Sequence, residues 1–187
     1  NFANHILWQS DPDCVLLRER FSDLSEEEIK TLAIYAGMTG GVTMTSDHLG
    51  ELSPSRLRLW RLILPEGRAS CDFPLLGRSD LFYERLPQSA GYAVRAEDPV
   101  LVQVRRPGQD GTPGAIFFLN TSGHPVQRSY PLTELGIHDP VYLLSWESSL
   151  SSEQAVSNIA VTLPGHHSAL YFFSRDLYLG VCNVLKF

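Results

Sequence analysis

Apolar residues recur at helical spacing in the first third of the chain. Within residues 26–38 they stand three or four positions apart: Ile29, Leu32, Ala33 and Ala36. This is the period of a helix with one buried face. Ser25 and Glu28 form a capping box before that run, and Gly40–Gly41 can end it. The pattern therefore predicts a helix over about residues 26–38.

A second helix start follows at residue 53. Ser53 suits the N-cap and Pro54 suits the first helical position. Pro65 and Gly67 would stop this helix after roughly three turns, because proline cannot continue the hydrogen-bond ladder. We therefore predict a second helix that begins at residue 54.

Short apolar segments precede both helices. Residues 42–44, Val-Thr-Met, suit a short buried strand that ends at Ser46–Asp47. Residues 14–18 could be the end of another strand or the start of the loop after it. The order strand, helix, strand, helix with short connections is the repeating unit of a parallel sheet.

After about residue 68 the pattern changes to short β-rich runs separated by Gly, Pro, Ser, Asn and Asp. The runs begin near residues 81, 92, 100, 114, 126, 141, 159 and 168. Such spacing is typical of an antiparallel sandwich or Greek-key barrel. We predict a domain boundary within residues 64–70. The predicted core of the β domain includes four aromatic residues: Phe117, Phe118, Trp146 and Tyr171.

Composition excludes several classes of function. With 43% hydrophobic residues, 19% charged residues and a net charge of −6, the chain is typical of a soluble globular protein rather than a nucleic-acid-binding one. No apolar run reaches the ~20 residues of a membrane span. No metal-ligand, phosphate-loop or nucleophile-elbow motif is present, so we expect no metal and no cofactor. Three cysteines without CxxC spacing predict unpaired thiols and slightly favour the cytoplasm: Cys14, Cys71 and Cys182.

Aspartates end both candidate strands. Asp11 and Asp13 flank Pro12, which favours a strand-end turn over a continuing strand, and Asp47 ends the second strand in the same way. The carboxyl ends of parallel strands are where barrel and open-sheet enzymes place their chemistry. From the residues alone, Asp11 and Asp13 could be a catalytic acid or base, the wall or scaffold of an active site, or plain turn caps.

Several motifs together resemble the α-galactosidase-type (melibiase) glycoside hydrolases. "WQSDPD" and "GGVTMTSDHLGELSPSRLRLWRLILP" look like the last two strand-helix units of the (β/α)8 (TIM) barrel in that family. "AIFFLNTSGHPVQRSYPLTELGI", "VYLLSWESS" and "LPGHHSALYFFS" look like its C-terminal antiparallel β domain. The resemblance covers roughly residues 7–175 and implies an α+β fragment. Residues 1–66 would be the end of a barrel, and residues 67–187 a β sandwich.

The same resemblance implies that the catalytic residues lie elsewhere. Members of the family hydrolyse α-galactosides with retention, and their two catalytic aspartates follow the fourth and sixth strands, upstream of Asn1. We therefore assign no catalytic residue to this chain and expect it to be inactive alone. Trp8, Asp11, Asp13 and Asp47 are predicted to form the rim of a sugar site or to brace it. The motif Gln9–Asp13 is intermediate between two versions in the family and leaves the substrate open.

A non-catalytic carbohydrate-binding or structural β module is the alternative interpretation. Aromatic side chains exposed along one sheet face would favour sugar binding, and aromatic side chains turned inward would favour a structural domain. In the glycoside-hydrolase interpretation, a quarter of a barrel leaves apolar faces uncovered. We therefore expect residues 1–20 to be displaced, to be swapped into another molecule through self-association, or to pack against the sandwich.

Overall fold

The computed structural model describes residues 11, 13–64, 71–72, 99–106 and 113–177. The helical elements are α1 (Glu26–Thr39), a 3₁₀ turn (Leu49–Glu51), α2 (Pro54–Ile63) and a second 3₁₀ turn (Leu132–Leu135). The strands are β1 (Cys71–Asp72), β2 (Val100–Arg105), β3 (Gly114–Asn120), β4 (Val126–Pro131), β5 (Tyr142–Ser145), β6 (Asn158–Leu163) and β7 (Ser168–Ser174). In the described part of the chain, no helix has the length and hydropathy needed to cross a bilayer.

Both predicted helices are confirmed, but their caps differ. At α1 the Ser25 hydroxyl accepts the Glu28 backbone N–H at 3.3 Å, and the Glu28 carboxylate accepts the Ser25 N–H at 2.8 Å, so the capping box forms. Gly40 ends α1 in the left-handed region with φ of 64°. Ser53 is the N-cap of α2, but its hydroxyl lies 3.0 Å from that of Ser55 and makes no capping hydrogen bond within the described chain.

The two segments before the helices pair in parallel, as predicted, but over one bridge. Cys14 pairs with Met44, and the Val15 N–H donates to the Met44 carbonyl at 2.9 Å. Val15 and Leu17 are buried. The prediction of a buried strand at 42–44 was wrong for Met44, whose side chain is 41% exposed. Leu16, on the paired segment, is also exposed, at 38%. The physical reason is that the described chain covers only one side of this parallel pair.

The β-rich region forms two antiparallel sheets. The larger has the strand order β1-β2-β3-β7-β5, and the smaller contains β4 and β6. In the larger sheet Phe117 of β3 stands opposite Leu170 of β7, and Phe118 stands opposite Ala169. The predicted antiparallel β domain is thus confirmed for the runs from residue 100 onward. The runs near residues 81 and 92 lie outside the described residues.

Alternation along the strands of the larger sheet gives it two buried faces. Phe117 and Phe172 point to one face and share a core with Leu17, Ala33 and other residues of the helical segment. The other face packs on the smaller sheet, with a core that includes Ile116, Phe118, Phe173, Ile159, Val161 and Leu163. The described chain therefore has three layers: helices, a five-stranded sheet and a two-stranded sheet.

Polar contacts also join the helices to the larger sheet. The buried Arg105 of β2 donates from Nη1 to the Gly37 carbonyl near the C-terminal end of α1, at 2.8 Å. A cation is favourable there, because the helix dipole leaves negative charge at that end. Arg58 of α2 lies over the Trp146 ring, 4.6 Å from its centroid, and donates to the Trp146 carbonyl at 2.8 Å.

Three outcomes were expected for residues 1–20: displacement, exchange with another molecule, or packing against the β domain. The described residues Val15 and Leu17 show the third, because they belong to the core that the helices share with the larger sheet.

Three of the four predicted core aromatics are buried: Phe117, Phe118 and Trp146. Tyr171 is only partly buried, but it packs against the core between the sheets, so its prediction is confirmed in part. Its ring packs edge-on against Phe118 at 6.1 Å between centroids. Partial burial lets a tyrosine pack its ring on the core and keep its polar end near water. Residues 65–70 lie outside the described residues, and the domain boundary proposed there stays a prediction.

Glu147, just after β5, makes a pH-sensitive contact with β7. Its Oε1 accepts the Leu170 backbone N–H at 3.1 Å. Although Glu147 lies on the surface, packing of its carboxylate against the sheet removes water, and this burial raises the pKa of Glu147. The folded chain therefore binds that proton more tightly than the unfolded chain does. The resulting stability is complete below the ordinary pKa of 4.5 and is lost as the pH rises through the raised folded value.

Replacing Glu147 with Gln should remove this part of the pH dependence. In E147Q the amide oxygen of the new side chain can still accept the Leu170 N–H, and the side chain no longer titrates. We expect thermal unfolding midpoints measured between about pH 4 and about pH 8 to fall less with pH in E147Q than in the unmodified chain. E153Q, at an exposed position, is the control. An unchanged slope in E147Q would contradict the assignment.

Candidate functional site

Asp11 and Asp13 form a self-capped turn. Asp11 Oδ1 accepts the Asp13 N–H at 2.8 Å, and Asp13 Oδ1 accepts the Cys14 N–H at 2.7 Å. Asp13 has φ of 65°, a left-handed conformation that Asp tolerates better than most residues. Both residues are exposed. These contacts show turn capping, one of the three interpretations left open by the sequence, and leave the surface of the carboxylates accessible.

The carboxylate of Asp47 is occupied by the chain itself. Oδ2 accepts the backbone N–H groups of Leu17 and Arg18, the latter at 3.1 Å, and Oδ1 accepts the Arg18 Nε–H at 2.7 Å. The side chain is 1% exposed, and that of Arg18 is 35% exposed. Arg18 also donates from Nη2 to the Ser46 hydroxyl at 3.0 Å. Asp47 therefore fastens residues 17–18 to the segment that follows Met44.

The structure brings Asp11 and Asp13 together but places Asp47 apart from them. In the parallel pairing of Cys14 with Met44, Asp13 stands one residue before the bridge and Asp47 three residues after it. A separation of four residues along an extended chain is about 13 Å. The part played by Arg18 was missed at the sequence level. The only signal in the sequence was that each of the two paired segments ends in a charged residue: "CVLLR" in Arg18 and "MTSD" in Asp47.

This arrangement limits what the described carboxylates can do. Retaining glycoside hydrolysis needs two carboxyl groups about 5 Å apart on opposite sides of the anomeric carbon. Asp11 and Asp13 share one turn, and Asp47 is engaged with residues 17–18. In the part of the chain that the structure describes, no group of three or more His, Cys, Asp or Glu side chains could hold a metal ion. The fourth predicted rim residue, Trp8, lies outside the described residues. A sugar-site role for Trp8, Asp11, Asp13 and Asp47 stays a prediction.

Fold and site together define a class of structure: a helical segment with one parallel bridge, packed on an antiparallel β domain. No protein-family model and no curated protein matches the sequence. Solved structures do match the fold. They include a β-L-arabinopyranosidase from Geobacillus stearothermophilus in complex with arabinose, with a TM-score of 0.65 and 15% identity over 91% of this chain and 38% of that chain.

The fold of this chain is also similar to that of two α-galactosidases. α-Galactosidase I from Mortierella vinacea gives a TM-score of 0.61 at 8% identity, over 89% of this chain and 39% of that one. The enzyme from Saccharomyces cerevisiae gives 0.60 at 9% identity, over 90% and 47%. These matches confirm the resemblance to α-galactosidase-type glycosidases at the level of fold. The chain spans less than half the length of each of these three structures.

Proposed function

We propose that this chain is the C-terminal portion of a glycoside hydrolase that resembles α-galactosidases. In this proposal residues 1–66 supply the last two strand-helix units of a TIM barrel, and residues 67–187 supply the accessory β domain. The full-length parent would hydrolyse terminal α-galactosides with retention. Its two catalytic aspartates would precede Asn1, so this chain alone would be inactive.

One observation carries the proposal: the fold matches glycosidases over most of this chain and over less than half of theirs. The parallel bridge between Cys14 and Met44 supports it, because antiparallel β domains do not require parallel pairing and a barrel does. The side chains of Leu16 and Met44 are exposed, and in this proposal the remaining strands of a barrel would cover them.

The rim residues would support the sugar site without performing chemistry. The exposed carboxylates of Asp11 and Asp13 would accept hydrogen bonds from sugar hydroxyls or form the wall of the site. Asp47 would hold the neighbouring segment in place through Leu17 and Arg18. The difference in exposure between the Asp11–Asp13 turn and Asp47 supports this division of roles.

Activity assays on an aryl α-galactoside test the proposal. We expect no turnover by the isolated chain and turnover by the same chain extended to its full-length parent. In the parent, D11N and D13N should raise KM more than they lower kcat, because lost ground-state contacts weaken binding. D23N, at an exposed position before α1, is the matched control. Turnover by the isolated chain would overturn the claim that the catalytic pair is missing.

The alternative is a β module that does not hydrolyse sugars. The phenylalanines of β3 and β7 face inward and are buried: Phe117, Phe118, Phe172 and Phe173. Inward aromatics favour a structural module over a sugar-binding one. Isothermal titration with galactose and raffinose separates the two, since heat of binding by the isolated chain would favour the carbohydrate-binding module.

A further inference from the structure

The sequence contains one Asn-x-Ser/Thr triplet, Asn120-Thr121-Ser122. Such a triplet is the acceptor for N-linked glycosylation, and acceptors that are used lie in accessible surface loops. Here Asn120 is the last residue of β3 and is 0% exposed. The recognition triplet is thus present while its reactive side chain is enclosed.

Both ends of the Asn120 amide are occupied. Its Nδ2 donates to three carbonyl oxygens, those of His124 at 2.7 Å, Pro164 at 2.9 Å and Leu163 at 3.2 Å. Its Oδ1 accepts the Ser122 N–H at 3.0 Å and the Ser122 hydroxyl at 2.8 Å. The hydroxyl of the triplet, which a transferase must recognise, is therefore also engaged.

The turn after β3 and the turn after β6 are held against each other around this amide. The His166 N–H donates to the Ser122 carbonyl at 3.0 Å. At Gly165 an added Cβ would lie 2.4 Å from the Gly123 carbonyl oxygen, so the backbones touch with no room for a side chain. A glycan on Nδ2 would have to pass between these two turns. The native contacts and the modification therefore require different structures.

We infer that folding closes Asn120 to N-glycosylation, so that the triplet is an acceptor only in the unfolded or nascent chain. In the transfer reaction Nδ2 bonds to the anomeric carbon of a lipid-linked oligosaccharide. The bond from that carbon to the diphosphate oxygen breaks, the lipid diphosphate leaves, and the amide loses one proton. That attack needs a free amide nitrogen in an accessible backbone. The glycan and the paired turns thus exclude each other.

An internal comparison within one molecule tests this inference. Ala155→Asn creates a second triplet, with Val156 and Ser157, at an exposed position of the loop between β5 and β6. The purified, folded A155N chain is incubated with a eukaryotic-type oligosaccharyltransferase and its lipid-linked donor, and occupancy is measured by peptide mass spectrometry. We expect position 155 to be modified at least about a hundredfold faster than Asn120, because Asn120 reacts only from locally opened molecules.

A second arm asks whether folding is the cause. The A155N chain that also carries Phe118→Ala is placed in urea that unfolds it and leaves A155N folded. Asn120 should then be modified at a rate similar to that of position 155. Equal modification of the two sites in the folded A155N chain would overturn the inference. So would an Asn120 that stays unmodified in the unfolded double variant while position 155 reacts.

Discussion

Replacing Phe118 with Ala is expected to lower the free energy of unfolding by about 3–5 kcal/mol, the usual cost of removing a fully buried phenylalanine ring. The ring is 0% exposed between the two sheets, stacked on Tyr130 with centroids 5.6 Å apart and edge-on to Tyr171. Its loss leaves a cavity that these two rigid aromatic neighbours cannot easily fill. Urea denaturation followed by circular dichroism measures the change.

Phe117→Ala is the matched partner of that variant. Phe117 is the neighbouring residue on β3 and equally buried, but it faces the helices and packs with Tyr35 at 6.4 Å between centroids. A loss of about 3–5 kcal/mol is expected here also. Hydrogen exchange distinguishes the two variants, because F117A should expose amides of α1 first and F118A those of β4 and β6. T162A, on the exposed face of β6, should have little effect. Changes below about 1 kcal/mol in both phenylalanine variants would contradict the three-layer core.

The elements that the sequence predicted well are those with local determinants. Helix α1 begins where Ser25 and Glu28 can satisfy free backbone groups and ends where Gly40 can take a left-handed conformation. The strands from residue 100 onward are bounded by turn residues. Strand β6 alternates buried and exposed positions, whereas β3 is a continuous apolar run that is buried on both faces. Such signals are contained within a few residues, so a single sequence is enough to show them.

What the sequence missed depends on contacts across long separations. Arg18 and Asp47 are 29 residues apart, and no periodicity links them. Arg105 reaches Gly37 across 68 residues, and nothing in the short strand run around it predicted that partner. Met44 was predicted to be buried, but no described residues cover that side of its segment. Within the candidate site, the contacts of Asp11 and Asp13 are local, whereas those of Asp47 are long-range, and this is why the partners of Asp47 were not predicted.

Packing against the larger sheet stabilises the helical segment. Leu17, Ala33 and Leu62 share one apolar cluster with Phe117 and the sheet. Burial of this surface is favourable by about 25 cal/mol per Å² whether or not other strands are present. The helical segment is therefore anchored on the β domain. In our proposal, the uncovered side with Leu16 and Met44 is where the rest of a longer parent would pack.

Asp47→Ala is expected to cost about 3 kcal/mol of stability, because it strips a carboxylate from two backbone N–H groups and one guanidinium. Asp47→Asn keeps one carbonyl oxygen as acceptor and should cost about half as much. Arg18→Ala should cost about 1 kcal/mol, since Arg18 is partly exposed and the backbone bonds to Asp47 survive. Urea denaturation measures each loss, and hydrogen exchange at the Leu17 amide reports the bond directly.

A double-mutant cycle on Arg18 and Asp47 decides how much of the loss belongs to the ion pair. If the backbone N–H groups carry most of the energy, the coupling between the two side chains stays below about 1 kcal/mol and Leu17 exchanges faster in D47A than in R18A. An unchanged Leu17 exchange rate in D47A would contradict the fastening role. In a full-length parent D47A should lower stability and impair kcat and KM together, whereas D11N should act mainly on KM, because only the exposed turn faces the sugar in our proposal.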